Sequence, residues 1–85
     1  MYILDSSAFI RGYTKEGHTA TVAEVSGELF GEASLRFEAM RGGGMKIQVP
    51  QGETIEEVIR IAKKTGDITV ISRTDICLIA AAIEL

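Results

Sequence analysis

Apolar positions along this chain recur in two periods. After Thr21, the residues Val22, Val25, Leu29, Ala33, Phe37 and Met40 return at three- and four-residue steps, the spacing of one apolar helical face. Gly27 and Gly31 interrupt that face, and each costs about 1 kcal/mol against Ala in a helix interior. A bend or break is expected there. After Thr54, Ile55, Val58, Ile59 and Ala62 repeat at helical spacing, and Lys63-Lys64-Thr65-Gly66 reads as a cationic last turn closed by a glycine cap. From Ile76 to Leu85 almost no polar face remains, which predicts a helix buried on most sides. Three segments place a hydroxyl three residues before a carboxylate: Thr21 to Glu24, Thr54 to Glu57 and Ser72 to Asp75. That is capping-box spacing, so each reads as a helix start.

The second period is two. Met45-Lys46-Ile47-Gln48-Val49 alternates apolar and polar before Pro50, as a half-exposed strand does. Tyr2-Ile3-Leu4 is a short apolar run that reads as a buried strand, and Gly42-Gly43-Gly44 breaks the chain between the first two helices. Ile68-Thr69-Val70-Ile71 is β-branched enough to read as a strand on propensity alone, but we place it as a loop leading into the last helix. The predicted order is strand, helix, strand, helix, helix, which makes an α/β domain.

Composition narrows the function. With 85 residues the chain is one small domain, residues 1–85, and its 46% apolar content argues against disorder. A net charge of −3 gives it none of the overall basic excess of an electrostatic nucleic-acid binder; a nuclease would need a local basic rim around an acidic centre. Cys77 is the only cysteine, which excludes an internal disulfide and a Cys-rich zinc site. No signal peptide and no apolar run of ~18 residues is present, so a cytoplasmic protein without a membrane partner is expected. The triple glycine lacks phosphate-loop spacing and precedes a strand. His18 has no partner at metal or dyad spacing and reads as a surface residue. Cys77 reads as a small core residue.

The acids are the candidate chemistry. Asp5 ends the first strand, where open α/β sheets place their ligands. Glu28 follows Glu24 by four residues on the first helix, and Asp75 stands in the first turn of the last, whose dipole favours negative charge. Three convergent carboxylates suit Mg²⁺ or Mn²⁺, which prefer oxygen ligands and retain water. On spacing alone, Asp5 reads equally as a strand-end turn former, Glu28 as a solvated helix residue and Asp75 as a capping acid.

The block YILDSSAFI resembles the opening of PIN-domain ribonucleases, and TVAEVSGEL is similar to their second motif, with Glu28 the best match to its acid. The segment AKKTGDITVISRTDICLIAAAIEL looks like the third. Its TGD followed by S-x-TD resembles one branch, the endoribonuclease of archaea and eukaryotes that cuts the precursor of small-subunit ribosomal RNA at its 3′ end. This run separates it from the toxin ribonucleases of toxin–antitoxin pairs.

The resemblance implies a PIN-like parallel sheet with helices packed on it. It implies a metal-dependent endoribonuclease in which Asp5, Glu28 and Asp75 are catalytic acids holding Mg²⁺ or Mn²⁺, with Ser7 orienting a ligand or phosphate. Its partners would be the ribosomal RNA precursor and the small ribosomal subunit, and Arg11, Lys15, Arg36 and Arg73 are the candidates for specificity. PIN domains are longer, supply a further aspartate from a later strand, and in this branch carry a zinc ribbon. The expectation is therefore a partial domain, inactive alone, with its first strand central in the intact sheet, flanked on one side by the Met45 to Val49 strand and on the other by the later strand. As a fragment it would expose that strand and its last helix, and form a homo-oligomer or bind the rest of its parent. The rival readings are a toxin ribonuclease and a non-catalytic PIN-like interaction module.

Overall fold

The computed structural model describes residues 1–12 and 18–85; Lys15, one of the cations named above, lies outside the described residues. The elements are β1 (Tyr2–Ile3), α1 (Ser6–Ile10), β2 (Thr19–Thr21), α2 (Ala23–Ser26), α3 (Glu32–Gly42), β3 (Lys46–Ile47), α4 (Gly52–Thr65), a 3₁₀ turn (Asp67–Thr69) and α5 (Arg73–Glu84). Among the described residues, no helix is long and apolar enough to cross a membrane.

The three strands form one parallel sheet in the order β1-β2-β3, with Tyr2 opposite Thr19, Ile3 opposite Ala20, Ala20 opposite Lys46 and Thr21 opposite Ile47. This corrects the expected arrangement, in which β1 pairs directly with the Met45 to Val49 strand. β2 lies between them, and β1 is an edge. All three β2 residues are buried, as the middle strand of a parallel sheet must be. β3 is shorter than the alternating segment, and Val49 is exposed, not packed inward.

The first apolar face is buried as predicted at Val22, Val25, Leu29, Ala33 and Phe37, but it belongs to two helices. The chain breaks between α2 and α3, where Gly31 adopts φ +58° and ψ −129°, a conformation that a side chain strongly disfavours. Phe9 of α1 and Phe37 of α3 meet with ring centroids 5.2 Å apart, tilted by 55°, a favourable aromatic geometry.

Two of the three predicted capping boxes do not form, because their hydroxyls have other partners. Thr21 is in β2, and its Oγ1 donates to the Leu4 carbonyl at 2.6 Å; α2 is preceded by Val22, which has no side-chain oxygen to offer. Thr54 lies inside α4, whose cap residue is Gln51, and hydrogen-bonds Glu84 instead. The Ser72–Asp75 box is complete, with Asp75 N–H donating to Ser72 Oγ at 3.1 Å and Ser72 N–H to Asp75 Oδ2 at 3.3 Å. Residues 68–71 run through the 3₁₀ turn and are not a strand.

Two apolar clusters stabilise the domain. The larger gathers Leu4, Phe9, Val22, Val25, Leu29, Ala33, Phe37, Met45, Cys77 and Ala81 around the sheet. The smaller joins Val58 of α4 to Ile76 and Ala80 of α5. The last helix is less buried than its sequence suggests, since Ile79, Ile83 and Leu85 are exposed.

Glu84 ties the end of α5 to the start of α4. It accepts from Gln51 N–H at 2.7 Å, Gln48 Nε2 at 2.9 Å and the Thr54 hydroxyl. These donors hold its carboxyl below the ordinary glutamate value. A lowered folded value means the stability it contributes is present above the ordinary glutamate range and lost as pH falls through the lowered value. Glu84→Gln should therefore lower the melting temperature at neutral pH and flatten the acid side of the stability profile, measured by thermal denaturation across pH. A variant with the wild-type acid limb would refute this role. Glycine substitutions give a second expectation. Gly66 closes α4 at φ +82°, and neither it nor Gly31 has a neighbour within 4 Å of an added Cβ. Gly66→Ala should thus cost about 1 kcal/mol from backbone strain alone, and Gly31→Ala more, as measured by chemical denaturation.

Candidate active site

Asp5 is placed by the β1–β2 pair. Leu4 N–H donates to the Ala20 carbonyl at 2.8 Å, and the Leu4 carbonyl accepts from Thr21, so the backbone is fixed on both sides just before the aspartate. The chain then turns into α1, with Asp5 as its N-cap. Its Oδ1 accepts from Ser7 Oγ at 2.7 Å and from Ala8 N–H at 3.3 Å. Oδ2 has no hydrogen bond among the described residues. The carboxylate opens into a groove of about 370 Å³, lined by the β1 edge together with Asp5, Ser7, Ala8 and Arg11. Ser7 thus holds the aspartate's orientation, and Arg11 is the cation beside it.

Asp75 is exposed in the first turn of α5, with Oδ2 engaged in the capping box. α5 packs against β1 and α2, which brings this helix alongside the strand that delivers Asp5. Glu28 is displaced from its predicted helical position. α2 stops at Ser26, and Glu28 follows in a turn where its N–H donates to the Val25 carbonyl at 3.0 Å. Its exposed side chain lines a different cleft, also about 370 Å³, with Ile10, Phe30, Glu32, Ala33 and Arg36.

The half-buried acid beside α5 is Glu24, which sequence reasoning had treated only as a capping residue. The Cys77 thiol hydrogen-bonds it, and Arg73 lies near enough to act on the same thiol. Burial pushes the Cys77 thiol up, Glu24 adds to the rise and Arg73 opposes it, so Cys77 stays protonated and inert as a core residue. The signal for Glu24 was its four-residue spacing from Glu28, which puts the two on one helical face only if the helix continues.

Carboxylate oxygens are the donors that Mg²⁺ and Mn²⁺ select. Their placement is the weaker part of the fit: among the described residues, no group of three or more His, Cys, Asp and Glu side chains is gathered closely enough to hold a metal ion. Asp5 and Glu28 line separate clefts. Of the cations, Arg36 is already engaged: Nη1 donates to the carbonyls of Phe9 at 2.9 Å and Ile10 at 3.3 Å, and Nη2 to Glu32 at 3.2 Å. It closes the end of α1. His18 is exposed, and its carbonyl accepts from Tyr2 N–H.

Residues 2–85 match the family model described as the PIN domain of ribonuclease. The chain is 33% identical over 84 residues to Endoribonuclease Nob1 of Archaeoglobus fulgidus, covering 99% of this chain and 49% of that protein. It is 37% identical over 86 aligned positions to Endoribonuclease Nob1 of Methanothermobacter thermautotrophicus, covering 98% and 50%. The same identity holds for Endoribonuclease Nob1 of Methanocaldococcus jannaschii, covering 98% and 43%. The chain thus spans about half the length of these curated relatives. With a parallel sheet, an aspartate at the exit of β1 and a match over nearly every residue, the chain belongs to the PIN-domain ribonuclease family.

Proposed function

We propose that this chain carries the nuclease domain of a metal-dependent endoribonuclease acting at the 3′ end of the small-subunit ribosomal RNA precursor. The observation that carries this reading is Asp5: an exposed carboxylate, fixed by Ser7 at the end of a parallel strand and open to a groove. The names of the relatives, with the TGD and S-x-TD segments, support the choice of substrate. Asp5, Asp75 and Glu28 would hold Mg²⁺ or Mn²⁺. When bound, such an ion neutralises charge on the phosphate and lowers the pKa of its water. Within the chain, Ser7 keeps Oδ1 of Asp5 oriented, the Ser72–Asp75 box fixes the second acid, and Arg11 offers a positive group to a phosphate in the Asp5 groove. RNA and the small ribosomal subunit are the proposed partners, and the cytoplasm the proposed location.

A second reading is favoured by one observation, the absence of a gathered acid cluster among the described residues. It is a PIN-like module that binds RNA or protein without cutting.

Two experiments separate the readings. In the complete parent protein that carries this domain, Asp5→Asn should reduce RNA cleavage by at least about a hundredfold while RNA affinity is retained, and Ser7→Ala should cost roughly ten- to a hundredfold through loss of orientation. Cleavage by Asp5→Asn at the wild-type rate would remove Asp5 from the chemistry. Mn²⁺ should also stabilise the fold. At ten times its dissociation constant the melting temperature should rise by about 8 °C, and the rise should vanish in Asp5→Asn. No shift at millimolar Mn²⁺ would favour the non-catalytic module.

A further inference from the structure

Phe30 is 84% exposed, more than any other large apolar side chain described. Its presentation is fixed by its neighbours. Leu29 is buried in the main cluster on one side, and Gly31 makes the sharp backbone turn into α3 on the other. The ring lines the cleft of about 370 Å³ that also holds Glu28, Glu32 and Arg36. Arg36 is immobilised there by the Phe9 and Ile10 carbonyls and by Glu32, so the floor of the cleft is ordered while its one aromatic plane faces solvent.

We propose that Phe30 is a stacking platform for an unpaired base of the RNA, seating one nucleotide beside Glu28; this rests on the nuclease reading above. Charge decides what enters the cleft. The chain carries −3 overall, and Glu28 and Glu32 stand at this cleft, so with no cation bound a phosphate is repelled. A neutral planar base is not. Arg36, the cation that lines this cleft, is engaged with Glu32 and the Phe9 and Ile10 carbonyls, which limits here the phosphate contacts that usually dominate nucleic-acid affinity. Base stacking on an aromatic ring supplies binding that needs no net positive charge, and it selects single-stranded RNA because only unpaired bases expose a free face. Ile10 and Ala33 supply the apolar part of the lining beside the ring, and Glu28, Glu32 and Arg36 the polar part, a combination that suits the apolar face and polar rim of a base.

The chain contains no tryptophan, so Phe30→Trp introduces a single indole that reports stacking directly. Titration with a single-stranded oligoadenylate, in EDTA to stop metal-dependent cleavage, should quench its emission. An oligomer made of abasic nucleotides should not. By fluorescence anisotropy of a labelled oligoadenylate, Phe30→Ala should bind roughly ten- to a hundredfold more weakly, while Phe30→Tyr and Phe30→Trp stay near wild type. The melting temperature of Phe30→Ala should be unchanged, since the side chain lies outside the core. Equal RNA affinity in Phe30→Ala, or no quenching in Phe30→Trp, would overturn the proposal and assign the ring to a protein contact. A folded wild-type protein that binds no single-stranded RNA would overturn the nuclease reading itself, and the platform with it.

Discussion

The hydrogen bond from the Thr21 hydroxyl to the Leu4 carbonyl carries the rest of the architecture. β1 is two residues long and ends at Ile3, and a ladder that short leaves the carbonyl of the next residue, Leu4, without a strand partner. A buried carbonyl without a donor is costly. The fully buried Thr21 side chain supplies the donor at 2.6 Å, extends the β1–β2 pairing by one residue, and fixes the chain at the point where Asp5 emerges. The capping bonds from Ser7 and Ala8 then set the carboxylate itself. The candidate chemistry thus depends on a threonine in the neighbouring strand.

The same substitution of side chain for secondary structure recurs. Arg36 reaches from α3 to the last carbonyls of α1, and Glu84 reaches from α5 to the first donor of α4. The start of α4 has no side-chain cap of its own, and at the end of α1 Arg36 adds to the local backbone bonds from Arg11 and Gly12. In a domain whose strands have two or three residues, few ladder bonds are available to hold elements in register. Side-chain to backbone bonds between distant segments replace them, and those of Arg36 and Glu84 are charge-assisted, which makes them stronger than neutral ones.

These distant bonds also explain what could be read from the sequence. The helical faces were legible because each repeats within its own segment: Val25, Leu29 and Phe37 point inward whatever the break at Gly31 does to the axis. The Ser72–Asp75 box was legible because both partners lie within one turn. Thr21 and Thr54 had the same local pattern and failed, because Leu4 and Glu84 compete for their hydroxyls from 17 and 30 residues away. β2 was invisible for a related reason. Thr19-Ala20-Thr21 carries no large apolar side chain, yet it is the most buried strand, since it lies between β1 and β3 in the sheet. At the candidate site, Asp5 and Asp75 were legible from strand-end and helix-start chemistry. Glu28 was placed on a helix that stops two residues earlier, so its cleft was not.

α5 is the one helix that serves both apolar clusters: Cys77 and Ala81 pack toward the sheet, while Ile76 and Ala80 pack toward Val58 of α4. The two faces differ by a single residue step, about 100° around the helix. α4, in contrast, buries its apolar face against α5 and the 3₁₀ turn. The domain is therefore hierarchical in its fluctuations. α4 can open as a local unit, exposing the small cluster while the sheet stays folded, whereas α5 cannot leave without dissolving both clusters at once. Asp75 travels with α5 and Asp5 with β1, so the two aspartates sit in the cooperative part of the molecule and keep their spacing through the motions that loosen its periphery.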